Sequence, residues 1–160
     1  MTPRKEIYLA IKDELVTIPE IGYVDLHRNQ FAPGKESYPP HAVACLVKVV
    51  AIQWDAMSEQ MQEGSALVEA TLYLFETHPN PEVVGVDSLV AMDLIDAITA
   101  KLRFLKGELF KPLEQMLDES LETEVDGLLA YKLSFISTIY KRTAPKYQEV
   151  ANPVTTISFV

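Results

Sequence analysis

The sequence predicts an α+β protein: an antiparallel sheet of four to five strands with two helices packed on one face. Three observations point there. Residues 42–54, rich in valine, and 65–77, rich in leucine and aromatic residues, are apolar runs of strand length. Apolar residues recur at spacings of three and four near the N-terminus and again after Asp87. Alternating apolar residues also flank Asp126-Gly127, a pair that favours a hairpin turn. Two helices cover only one face of such a sheet, so the opposite face needs its own account.

The elements follow in order. Thr2 and Pro3 read as an N-cap and first helical residue, and Ile7, Ile11 and Leu15 form a helical stripe to about Val16. Pro19 and Gly22 stop it. Residues 23–30 alternate well enough for a short strand, and residues 31–40, with Gly34 and prolines 33, 39 and 40, read as a loop. The strands at 42–54 and 65–77 are joined by a polar connection carrying Met57 and Met61. After a loop at 78–85, Asp87 or Ser88 caps a helix whose stripe is Leu89, Met92, Ile95, Ile98 and Leu102, ending near Gly107. In the last hairpin a three-residue loop, Val125-Asp126-Gly127, pairs Leu117 with Phe135 and Leu121 with Tyr131. A one-residue slip turns every side chain over. Residues 1–143 read as one domain and 144–160 as an extended C-terminal tail.

Composition narrows the function. The chain has 160 residues and is 48% apolar and 23% charged, the balance of an ordinary globular protein. The opening residues carry charge throughout and do not read as a signal peptide. No segment approaches the roughly 20 apolar residues of a membrane span. The formal net charge of −9 argues against specific nucleic-acid binding, which draws on clustered Lys and Arg. The single cysteine, Cys45, sits among valines and alanines and reads as a small core residue.

No catalytic constellation stands out, and we expect no enzyme, no cofactor and no metal. The histidines His27, His41 and His78 lack metal-ligand spacing, and the latter two read as surface residues beside prolines. The carboxylates Asp118, Glu119, Glu122, Glu124 and Asp126 read as a solvated face that keeps the hairpin soluble. There is no phosphate-cradling glycine loop and no nucleophile elbow.

The strand at 42–54 has no polar face. Leu46, Val50, Ile52 and Trp54 lie on the parity away from Val43 and Cys45, and Tyr73 and Phe75 extend that surface on the next strand. The sequence therefore predicts a subunit interface at Leu46, Val50, Ile52, Trp54, Tyr73 and Phe75, because exposed apolar patches mark interaction surfaces. The other reading is that a long loop or the tail folds over this face. Ile157 and Phe159, in the apolar end of the tail, join the expected interface, since such a segment can pair with a sheet edge.

The helix RKEIYLAIKDEL followed by YVDLHRNQF, the strand ending VVAIQWD, the stretch SEQMQEGSALVEATLYLFET and the final pair around LETEVDGLLAYKLSFISTIYKR carry a family likeness. Over about residues 4–142 the chain resembles the tail terminator (tail completion) proteins of long-tailed bacteriophages and prophages. The resemblance is one of pattern and topology and includes no catalytic signature. It implies a homo-oligomeric ring, typically a hexamer, that caps the tail tube, docks the tail tube protein on one side and a head-completion or neck protein on the other. It implies a place in the virion tail, with assembly in the host cytoplasm. The alternatives are a head-closure or other minor tail subunit, and a small cellular ligand-binding or regulatory domain. A metal-assisted hydrolase built on Asp118 and Glu122 ranks below both.

Overall fold

The computed structural model describes residues 1–34, 38–56 and 58–144. In chain order the elements are α1 (Pro3–Leu15), β1 (Tyr23–Leu26), β2 (Val43–Ala56), β3 (Met61–Phe75), α2 (Leu89–Leu102), β4 (Glu114–Leu121) and β5 (Leu128–Arg142). The strands make one five-stranded sheet in the order β1-β2-β3-β5-β4. The fold is α+β. The sheet is mixed rather than wholly antiparallel, because β1 runs parallel to β2, with Tyr23 opposite Ala44 and Leu26 opposite Val47. A parallel pair needs a long crossover, and the proline-rich connection carrying Phe31 and Tyr38 provides it.

Helix α1 begins where the sequence says. The Thr2 hydroxyl accepts a hydrogen bond from the Lys5 N–H at 3.3 Å, and Pro3 stands at the first turn, where no partner for its missing N–H is needed. Ile7, Ile11 and Leu15 are fully buried. On the same helix the Glu6 carboxylate accepts from the Glu108 and Leu109 N–H groups at 2.7 and 2.8 Å, tying α1 to the segment before β4.

Helix α2 starts at an Asx turn, in which the Asp87 carboxylate accepts from the Leu89 N–H at 3.0 Å. Its buried stripe is Ala91, Leu94, Ile98 and Leu102. This corrects the expected stripe: Leu89 and Met92 are exposed at 64% and 62%. Both stripes pass through Ile98 and Leu102. The stripe through Ala91 wins because a small side chain lets the helix approach its neighbours closely. The buried residues of α1 and α2 share one cluster with Val43, Cys45 and Val47 of β2, Val68, Ala70 and Leu72 of β3, and Leu133 and Phe135 of β5. No helix of the described residues is long and apolar enough to cross a membrane.

Two connections differ from expectation. Strands β2 and β3 stay paired as far as Ala56 and Gln62, so the hairpin is tight and most of the expected polar connection is strand. Ser58 closes the turn, its N–H donating to the Met61 carbonyl and its hydroxyl accepting from the Met61 N–H. Met57 lies outside the described residues. The β4–β5 register is also shifted: Leu121 lies opposite Ala130 and Leu117 opposite Ser134, not opposite Tyr131 and Phe135. The Thr123 hydroxyl bonds the carbonyls of Val125 and Leu128, and Gly127 takes a positive φ of 75°, so the loop is longer than three residues. A further irregularity between Gln115 and Leu117 resets the pairing. The shift turns Leu117 over and leaves it 52% exposed.

Candidate interaction surface

The sheet face away from Val43 and Cys45 was expected to present a continuous apolar surface. Two features of the chain break it up. The first is a bulge in β2 between Val49 and Ala51. Across it Ile52 lies opposite Ala66 and Trp54 opposite Gly64, which turns Ile52 and Trp54 toward the main core, where they are partly buried. Gly64 is required there, since a Cβ would stand 2.8 Å from the Trp54 ring. Of the four β2 residues expected at the interface, Leu46, Val50, Ile52 and Trp54, only Val50, at the bulge, is exposed, at 39%.

The second feature is the β1–β2 crossover, which folds over the upper half of this face. Phe31 stacks on Tyr73 and lies near Phe75, and Tyr38 meets the Phe75 ring edge-on at 5.5 Å. Together with Ala44, Leu128 and Ala130 they form a second buried cluster. Leu46 and Phe75 have no exposed surface, and Tyr73 keeps 8%. The expected interface at Leu46, Tyr73 and Phe75 is therefore corrected: the loop covers these residues within the chain. Ile157 and Phe159, with the rest of the tail from 145, lie outside the described residues.

Below this cluster the face is polar. Lys132 reaches Glu119 of β4 at 3.0 Å and Glu69 of β3 at 3.5 Å. The hydrogen bond to Glu119, reinforced by Glu69, raises its ammonium above the ordinary lysine value. His27 Nε2 lies 2.9 Å from the Tyr73 hydroxyl. Burial, helped by Lys48 and opposed by Glu69, pushes the His27 imidazole below its ordinary value.

The other reactive groups have structural partners. Cys45 is fully buried, and that burial pushes its thiol up to about 12. His78 is buried rather than on the surface as expected: Nδ1 accepts from the Asn80 N–H at 2.9 Å, and Nε2 lies 3.0 Å from the Pro39 carbonyl. This pattern fits the tautomer protonated on Nε2 and ties the two loops together. His41 is exposed and lies over Tyr23. Among the described residues no three His, Cys, Asp or Glu side chains gather as metal ligands would.

What remains open is the perimeter of the sheet. Strand β1 covers β2 only as far as Val47, whose carbonyl accepts from the His27 N–H at 2.9 Å. From Val49 to Asp55 the outer edge of β2 has no strand partner among the described residues, and neither has the outer edge of β4. Where β1 ends, Arg4, Tyr8, His27, Arg28 and Lys48 line a pocket of about 240 Å³. A larger open groove of about 860 Å³ runs along α1 between Glu6, Leu9, Asp13, Leu109 and Arg142. Sequence reasoning missed both edges, because the position of an edge depends on strand order and not on local pattern.

No protein-family model matches the chain, and no curated protein matches it.

Proposed function

We propose that the chain is a structural tail protein of a long-tailed phage or prophage, which assembles as a ring at the end of the tail tube and joins it to the head-completion proteins. The observation that carries this reading is that two sheet edges have no strand partner among the described residues, at β2 beyond Val47 and along β4. Two margins open among the described residues offer two different surfaces, and heterologous contact between unlike surfaces builds a ring where the rotation closes. The segments that carry the family likeness include the β2 margin and β3 and β5, the strands between the two margins. The reading asks for no catalytic group. Its mechanism is binding alone, with tube subunits below, neck subunits above and an acidic surface that does not hold passing DNA.

Arrest of tube growth tests it. The purified chain is added to polymerising subunits of a long-tailed phage's tail tube protein, and tube lengths are read by electron microscopy. The proposal expects shortened tubes with a ring at one end. Unchanged growth with bare ends contradicts it.

A further inference from the structure

The two margins without a strand partner among the described residues carry opposite net charge. At the β1–β2 corner, Arg4, Arg28 and Lys48 are all exposed around the pocket that ends β1. Asp25 pairs with Arg28 and also accepts from the Tyr23 hydroxyl and the Leu26 N–H, and Asp55 is exposed on the open edge of β2, so three cations against two carboxylates leave this corner one net positive charge. On the far side of the sheet, Glu114 and Asp118 of β4 and Glu122, Glu124 and Asp126 of the following loop are all exposed. Glu119 there is tied to Lys132. Each margin also holds exposed apolar surface: Val50 at 39% on the β2 side, and Met116 and Leu117 at 58% and 52% on β4.

Such a pair of surfaces has a defined geometry of self-association. A two-fold contact would set like charge against like, whereas a head-to-tail contact sets acidic against basic at every junction. Apolar residues ringed by charge are the usual make-up of a protein interface.

We propose that the β4 margin of one copy docks on the β2 margin of the next, with Met116 and Leu117 set against Val50 and the carboxylates of residues 114–126 facing Arg4, Arg28 and Lys48. This rests on the ring reading and assigns the surfaces that close the ring. The occupant of each margin is a second copy of the same chain.

Charge reversal with mixing tests it. One variant carries Arg28→Glu and Lys48→Glu, which makes both margins acidic. The other carries Glu114→Lys, Asp118→Lys and Glu122→Lys, which turns the β4 margin basic and leaves the β2 margin basic. Masses are measured by sedimentation at low salt, under whichever condition, alone or with the tube protein, the wild type assembles. Each variant alone is expected to stay at the single-chain mass of 17.9 kDa, and an equimolar mixture is expected to regain an assembly of alternating chains. Recovery on mixing also shows that both variants are folded. If each variant assembles alone as the wild type does, or if the mixture stays at single-chain mass while the wild type assembles, the proposed contact is wrong and the ring reading stands. A wild type that assembles under neither condition overturns both.

Discussion

Phe31 lies on Tyr73 with ring centroids 4.5 Å apart and planes inclined by 24°. This stack closes the upper half of the sheet's second face, because it holds the crossover against Leu46 and Phe75, which have no exposed surface. Truncating a buried aromatic leaves a cavity as well as lost contacts. Phe31→Ala is expected to cost about 3 kcal/mol, read as a shift in the urea midpoint, and to increase binding of an apolar dye. A variant as stable as the wild type would mean that the crossover does not cover this face in solution.

The His27–Tyr73 pair gives the stability a pH dependence. Burial holds the folded imidazole below its ordinary value of 6.5, so the folded chain takes up a proton less readily than the unfolded one. Between the lowered value and 6.5 the unfolded state carries more protons. The His27 contribution is therefore complete above that window and is lost as pH falls through it. The melting temperature of the wild type is expected to drop as pH falls below 6.5, the ordinary histidine value, and His27→Gln to drop less. Equal drops would remove His27 as the cause.

Cys45 is expected to be inert. Its thiol is fully buried and held up at about 12, so almost no thiolate exists at neutral pH. A thiol-specific chromogenic reagent should label the chain only when denaturant is present. Fast stoichiometric labelling of the native chain would contradict the burial.

The shifted β4–β5 register separates two leucines. Leu117 is half exposed, while Leu133, opposite Asp118, has no exposed surface. Leu117→Thr is expected to change stability of the single chain by less than about 0.5 kcal/mol. Leu133→Ala is expected to cost about 2–5 kcal/mol. Denaturant titrations of the two variants check this, and similar losses in both would favour the register in which Leu117 faces Phe135.

Glu6 links α1 to the start of the last hairpin through two backbone N–H groups. Glu6→Ala leaves both without their acceptor, and a loss of about 1–3 kcal/mol is expected. Glu6→Gln, which keeps one acceptor oxygen, should lose less. Hydrogen exchange at the Glu108 and Leu109 amides should speed up in both, and unchanged exchange would show that the bonds do not hold in solution.

The parts of the fold that depend on local chemistry were legible. Thr2 and Pro3 mark the start of α1, the stripe Ile7, Ile11 and Leu15 is the buried one, and Asp87 opens α2. The two long apolar strands were legible, although the tight turn at Ser58 was not, because the polar residues that suggested a long connection lie on paired strands. The interface residues failed for a different reason. Alternation assigns a face only while the strand is regular, and one bulge at Val50 returns Ile52 and Trp54 to the core side. The covering of Leu46, Tyr73 and Phe75 by Phe31 and Tyr38 is a long-range packing event with no periodic signal. The oppositely charged margins could have been suspected from Arg28 and Lys48 in an acidic chain, but only the strand order sets them opposite the carboxylates near Asp118.

The most direct measurement is the mass of the purified chain across a concentration range, by light scattering, alone and with the tail tube protein. The account predicts a discrete closed oligomer in at least one of the two conditions, dissociating as salt rises past a few tenths molar, at which charges several ångströms apart are screened. A chain that stays at 17.9 kDa in both conditions would contradict it.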